Sequence, residues 1–291
     1  MLDIYQHLPQ IISPIAFSIG SFNVRWYSIS YLVGFLVTYL FLVRNLKNNN
    51  LKKDAQIFND QFPISNKNQK IQNTILDFLL VNFFASFIGG RIGYVLLYDF
   101  SYFISHPLSI ISPFASGKLT GFYGMSYHGA LLAVILASFI FFRIKKINFW
   151  VWADLVTPAA ALGYFFGRLG NFLNGELYGR ATNSKLGMYF LSDPKVLRHP
   201  SQVYEAIGEG LILFFLIFKI RKIKLPTGSL FASYLIGYSI IRFMLEFFRQ
   251  PDKQMGFYFD IFTFGQMLSF LMFGVGIILL VSLNKEFIKS E

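Results

Sequence analysis

Between Gly167 and Arg180 the chain sets two arginines, two asparagines and a glutamate among four glycines. The order is Gly167-Arg168-Leu169-Gly170-Asn171-Phe172-Leu173-Asn174-Gly175-Glu176-Leu177-Tyr178-Gly179-Arg180. Guanidinium groups make forked, charge-assisted hydrogen bonds to phosphate, and glycine lets a ligand or a second backbone come close. The chemistry this suggests is the gripping of an anionic oxygen. On a continuous helix Arg168 and Asn171 fall three residues apart and share a face. The arginine would hold the anion while the amide offers a donor or acceptor. The plain alternative is an arginine snorkelling from a helix end; the flanking glycines and Glu176 favour a site.

A second set follows in Tyr238, Arg242, Glu246 and Arg249, with Gln250, Pro251 and Asp252 just beyond. Arg242 and Glu246 stand four residues apart, where an exposed ion pair gains only a few tenths of a kcal/mol, about 0.2–0.5. Inside a bilayer that gain does not offset an insertion cost of roughly 2.5–3.5 kcal/mol per charge. Arg242 is therefore expected to be a second phosphate clamp. His128 lies in the polar opening of an apolar run, Gly124-Met125-Ser126-Tyr127-His128-Gly129, and titrates in the range a general base needs. A hydrogen-bonded structural histidine is the equal alternative.

His199, Tyr204, Glu205 and Glu209 surround the start of another apolar run, where Ser201 is expected to cap the helix. Glu205 and Glu209 are four apart and would repel, so one must be protonated or paired with an arginine. Tyr27, beside Trp26, reads first as an aromatic-belt residue. Asp77 and Asp154 lie near helix ends and read as structural. Gly89-Gly90-Arg91-Ile92-Gly93 echoes the Gly167 motif, either as a repeat or as small residues for close helix packing.

The elements that must position these groups are apolar. Of 291 residues, 54% are hydrophobic, 36 are Phe and only 14% are charged, against about a quarter charged in a soluble domain. Hydropathy predicts an all-α polytopic membrane protein with one embedded domain over 1–291 and seven spans. These fall near 27–43, 75–97, 122–142, 149–167, 203–218, 228–248 and 261–283. Fifteen Lys and Arg fall in loop 44–74, loop 143–146, loop 219–224 and the tail, against nine in the alternate segments. The positive-inside rule then puts the N-terminus outside the cell membrane and the C-terminus in the cytoplasm. Segment 168–202 breaks that bias with five cations and is expected to form a small extracytoplasmic domain.

Several classes are excluded. The net charge of +11 comes from short loops, not a basic stripe, so no nucleic-acid partner is implied. Cysteine is absent, which removes disulfides, thiolate metal sites and a cysteine nucleophile. No Lys or Arg precedes Arg25, so a secretory leader is not expected. HExxH, Walker and dinucleotide motifs are missing, and no metal or cofactor is expected. The lack of GxSxG weakens a serine-hydrolase reading.

Taken together, the motif Gly167 to Gly179, Trp26-Tyr27, Gly89 to Tyr94, Ser126 to Gly129, His199 to Glu205 and Arg242 to Asp252 resemble the bacterial prolipoprotein diacylglyceryl transferases, in the family's order and over nearly the whole chain. The resemblance implies a multi-pass enzyme of the bacterial cytoplasmic (inner) membrane, with its site open to the outer leaflet. It would move diacylglycerol from phosphatidylglycerol to the lipobox cysteine of a preprolipoprotein signal peptide, releasing glycerol phosphate. By resemblance His128, Arg168, Arg242, Glu246 and Tyr27 are matched to catalysis. Arg168, Asn171, Asn174, Glu176, Gly179, His199, Tyr204, Glu205, Tyr238 and Arg249 are matched to substrate binding. Either His128 or a carboxylate such as Glu246 would act as base. The loop 54–74 is longer than the family usually has, and segment 183–198 is short beside larger members. The rival reading is a transporter or flippase that binds membrane lipids without breaking bonds; an intramembrane protease lacks a supporting residue set.

Overall fold

A computed structural model describes residues 2–20, 22–47, 67–97, 99–112, 114–115, 118–119, 124–251, 257–258 and 261–290. Expectations for the loop at 48–66 and for Asp252 lie outside the described residues. Two compact units are distinguished: Met1–Ile19, Asn23–Leu42 and Trp150–Glu291 form one, and Gly20–Phe22 with Val43–Phe149 the other.

Five described helices are long and apolar enough to cross a membrane: Trp26–Asn45, Gln69–Leu96, His128–Lys145, Phe149–Leu173 and Phe264–Lys285. This makes the chain a multi-pass membrane protein. Leu32, Phe84, Leu132, Phe215 and Leu271 are among many large apolar side chains left exposed on these and neighbouring helices, as a lipid-facing surface requires.

The second unit is built on α3 (Lys67–Leu97) and α5 (Tyr127–Lys145), with the short α4 (Phe100–Ser105) between them. Ser126 starts α5 by accepting the Gly129 N–H at 3.3 Å, and Lys146 ends it in the left-handed conformation at φ 53°. A side chain at Gly93 would put its Cβ 2.6 Å from Gly129 Cα. The glycines of the 89–93 motif therefore serve close helix packing. Arg91 is held by carbonyls, donating to Ile110 O at 2.9 Å, Ser109 O at 2.6 Å and Gly124 O at 3.2 Å. The resemblance of this motif to Gly167–Gly170 thus ends at its composition.

The first unit opens with α1 (Leu2–Ile11), a hairpin of β1 (Ile15–Ile19) and β2 (Phe22–Arg25), and α2 (Trp26–Lys47). Its central helix is α6 (Phe149–Leu173). In α6, 44% of the most apolar window is buried, against 22% or less in the other four candidate spans. That helix can therefore carry polar groups that face protein and not lipid. Its Asp154 caps a distant helix, accepting the Gly228 N–H at 2.6 Å and the Phe231 N–H at 2.9 Å. The capped helix is α9 (Ser229–Leu245), which packs along α10 (Phe264–Ser290).

Between α6 and the next helix lies a small folded segment. β3 (Met188–Phe190) and β4 (Asp193–Arg198) pair antiparallel with Met188 opposite Arg198, and α1 packs on β3. Phe172, Met188 and Phe190 form its core with Tyr5, Tyr178 and Val203 around them. The chain then enters α7 (Ser201–Glu205), a π turn over Ala206–Ile212 and α8 (Leu213–Ile220).

Three expectations need correction. The polar segment after the fourth candidate span begins at 174 and not 168, because α6 continues to Leu173. The described part of the third helix starts at Tyr127 and not 122. Ser201 does not cap α7: Pro200 occupies that position, and Ser201 Oγ instead donates to Leu177 O at 3.1 Å.

Candidate active site

The last three turns of α6 place Tyr164, Arg168 and Asn171 on one face, since residues three and four apart stack along a helix. Arg168 Nε donates to Tyr164 Oη at 2.8 Å, and its guanidinium lies 4.9 Å from the centre of that ring. Arg168 Nη1 reaches Asn171 Oδ1 at 3.4 Å. Beyond Leu173 the chain reverses through Gly175, whose φ of +69° suits glycine. The reversal brings Glu176 back over the helix end. Its carboxylate accepts Asn171 Nδ2 at 2.9 Å and Asn174 Nδ2 at 3.0 Å, and Arg25 donates to Asn174 Oδ1 at 3.2 Å. Every polar residue singled out between Arg168 and Glu176 is therefore joined in one hydrogen-bonded chain.

Glu205 and Glu209 come from α7 and the π turn that follows it, and both are buried. Glu205 Oε2 lies 2.8 Å from Arg168 Nε, 3.5 Å from Arg242 Nη1 and 3.7 Å from Arg249 Nη1. The single Nε hydrogen of Arg168 points at Tyr164, so its contact with Glu205 is attraction between charges, not an aligned hydrogen bond. Arg242 Nη1 also lies 3.6 Å from Glu209 Oε1. The expected repulsion between the two glutamates is thus answered by an arginine set beside both. A π turn is wider than an α turn and is often found at functional sites. Here it starts directly after Glu205 and contains Glu209.

Arg242 is fixed from its other side by Glu246, with Nη2 to Oε2 at 2.8 Å. Glu246 is pinned in turn by Thr263 Oγ1, which donates to Oε1 at 3.0 Å. Gly265 makes room for that carboxylate, because a Cβ there would stand 2.7 Å from Oε1. Removing a charge from water costs several kcal/mol, about 20 in the idealised limit, and attraction repays it only when geometry and hydrogen bonding are good. Arg168, Arg242 and Arg249 are each mostly buried beside Glu205, so their charges are matched by proximity and not by solvent.

Arg249 and His199 frame the edge of the cluster. Gly179 bridges to Arg249 and donates its N–H to His199 O at 2.8 Å. A Cβ on Gly179 would stand 2.9 Å from His199 Cβ and would collide with Phe248 O. The glycine admits two neighbouring chain segments. Arg180 reaches back to Arg249 O at 2.9 Å and Glu246 O at 3.5 Å. His199 Nδ1 is 3.3 Å from Tyr204 Oη, and its ring meets Phe248 edge-on at 5.2 Å. Loss of hydration pushes the His199 imidazole below its ordinary range.

The remaining residues fall in different places. Tyr238 meets Tyr164 edge-on at 6.0 Å, lining the same buried region. Tyr27 donates to Tyr31 Oη at 3.2 Å, and its Cα would be 3.4 Å from a Cβ on Gly170. His128 stands in the first turn of α5 in the other unit, where it is exposed. Tyr164, Arg25 and Thr263 are members that sequence reasoning passed over. Tyr164 carried a signal, since it lies four residues before Arg168. Arg25 and Thr263 carried none, being brought in by the fold from distant positions.

The arrangement suits an oxyanion carrying substrate. Guanidinium groups from two helices converge on one point, and an internal carboxylate holds them there. The model of the family described as prolipoprotein diacylglyceryl transferase matches residues 14–282. A phosphatidylglycerol–prolipoprotein diacylglyceryl transferase of Chlorobaculum tepidum is 44% identical over 282 residues, covering 95% of this chain and 92% of that protein. Proteins of the same name from Geobacter sulfurreducens and Campylobacter curvus are 38% and 40% identical over 275 and 294 residues. They cover 94% and 99% of this chain, and are themselves covered to 96% and 98%.

Proposed function

Because this chain belongs to the prolipoprotein diacylglyceryl transferase family, we infer that its buried arginine cluster holds phosphatidylglycerol while the diacylglyceryl group moves to a prolipoprotein. The chain is a membrane-embedded transferase, and phosphatidylglycerol and a prolipoprotein are its substrates. The acceptor is the thiol of a lipobox cysteine at the end of a signal peptide. Its thiolate sulfur attacks the glyceryl C3 carbon, the C–O bond to phosphate breaks, and the electron pair leaves on the phosphate oxygen. A thioether forms and glycerol phosphate departs. The enzyme sits in the bacterial cytoplasmic membrane with seven spans, its N-terminus and the 174–202 segment outside and its C-terminus inside, a topology supported by the distribution of Lys and Arg.

One observation carries the site assignment: Arg168 and Arg242 both approach Glu205 Oε2, at 2.8 and 3.5 Å. Guanidiniums gathered beside one anionic oxygen can offer their remaining N–H donors to a phosphate oxygen next to it. Charge growing on the leaving phosphate is then stabilised by groups already in position. Asn171, Asn174 and Glu176 orient Arg168, while Glu246 and Thr263 orient Arg242. Glu246 is engaged at both oxygens, which disfavours it as the base that takes the thiol proton. Tyr27, Tyr238, His199, Tyr204, Gly179 and Arg249 shape the surrounding wall.

The test is a transfer assay with purified protein, phosphatidylglycerol vesicles and a lipobox peptide. The expected result is a mass gain of one diacylglyceryl group on the peptide cysteine. Lipid binding or movement with no modified peptide would return the transporter reading.

A further inference from the structure

A cavity of about 520 Å³ lies beside the cluster, lined in part by Arg25, Asn174, Glu176, Leu177, Arg249 and Gln250. Two of these residues belong to both places. Glu176 is hydrogen-bonded to Asn171 at the Arg168 end, and Arg249 stands 3.7 Å from Glu205 Oε2. The cavity therefore shares side chains with the ionic cluster.

Leu177 is the anomaly in its wall. It is 46% exposed, and its φ is +58°, a conformation that strains a residue with a Cβ. Two fully buried side chains hold it there. Gln202 Nε2 donates to the carbonyl of Glu176 at 2.6 Å, and Ser201 Oγ donates to the carbonyl of Leu177 at 3.1 Å. The Glu176 N–H is fixed as well, donating to Asn171 O at 3.1 Å. The fold thus spends strain to display one apolar side chain in a wall that is otherwise rich in hydrogen-bonding groups. Backbone outliers kept by buried partners mark functional positions more often than chance.

We propose that Leu177 is a specificity-determining contact for the polypeptide substrate, covering an apolar side chain of an extended segment next to the reacting cysteine. This rests on the transfer reaction proposed above. An extended polypeptide has free N–H and C=O groups that pair with the polar lining and side chains that cover Leu177. A lipid acyl chain would leave those polar groups without partners, which is costly. A phosphate headgroup would make no use of the leucine.

The test is steady-state kinetics of Leu177→Gly and Leu177→Ala, with phosphatidylglycerol and a lipobox peptide varied separately. Glycine relieves the positive φ, so that variant folds at least as well as the parent chain. Truncating one buried leucine contact is expected to raise the peptide KM about tenfold or more, with kcat and the KM for phosphatidylglycerol within about twofold. Leu177→Met, which keeps apolar bulk, should restore most of the peptide KM. An unchanged peptide KM in both truncations would overturn the proposal. A shift in the lipid KM instead would assign the cavity to the lipid and overturn it equally. Failure of the wild-type protein to transfer at all would reject the underlying reaction and this contact with it, an outcome recognisable from the wild-type arm alone.

Discussion

Arg168 and Arg242 reach the same carboxylate oxygen, Oε2 of Glu205, at 2.8 and 3.5 Å from different helices. Neither is free to swing toward solvent, because Tyr164 holds the first and Glu246 the second. The two arginines proposed to hold the lipid phosphate are thus already oriented by the fold. Such preorganisation is usually the largest single source of rate in charge-developing reactions.

Replacing Arg168 with Lys keeps the charge but removes the fork and the Nε contact to Tyr164. Transfer should fall by roughly 10²–10³ while the protein still inserts in the membrane. The readout is kcat/KM in the transfer assay alongside the amount of protein extracted from membranes. Normal turnover would contradict the clamp.

Thr263→Val removes the donor to Glu246 while keeping the side-chain shape. It should lower kcat/KM by about tenfold, the equivalent of one net hydrogen bond of about 1 kcal/mol or somewhat more, and Thr263→Ser should restore it. If valine and serine behave alike, Thr263 does not position Glu246.

Asp154→Asn tests a structural assignment. The carboxylate caps α9 through two backbone N–H groups, so weakening it should cost roughly 0.5–2 kcal/mol of stability. Thermal unfolding in detergent should shift downward while kcat per folded molecule stays near wild type. A large loss of kcat without loss of stability would move Asp154 into the site.

His199 gives a pH test. Its folded pKa is depressed by lost hydration, so as pH falls the unfolded chain takes up the proton first. Its contribution to stability is present above the unfolded value of about 6.5 and is lost as pH falls through the folded value. His199→Asn should flatten that part of the stability profile. An unchanged profile would contradict the assignment.

Much of the site was legible because its pairs are local on helices. Arg168 with Asn171 and Arg242 with Glu246 are three and four residues apart, and that spacing alone put each pair on one face. The spacing of Glu205 and Glu209 called for protonation or an arginine partner, and Arg242 stands beside both, whereas the π turn at Ala206–Ile212 is invisible to a period of 3.6. Ser201 read as a cap because its type and position fit one. The fold gave the capping position to Pro200 and used the hydroxyl to hold Leu177. Thr263 and Arg25 act through contacts that chain packing creates, and no local pattern announces them. The glycines divide in the same way. Gly179 and Gly93 are required by neighbouring backbone, a constraint set by tertiary structure.

The claim that these arginines grip the lipid phosphate is tested most directly by comparing dissociation constants for phosphatidylglycerol and uncharged diacylglycerol. Wild-type protein should bind the phospholipid more tightly, and Arg168→Gln and Arg242→Gln should each lose about tenfold or more of that preference, as expected for a charge-assisted hydrogen bond of roughly 1.5–3 kcal/mol. If both variants keep the wild-type preference, the phosphate is held elsewhere and the account is wrong.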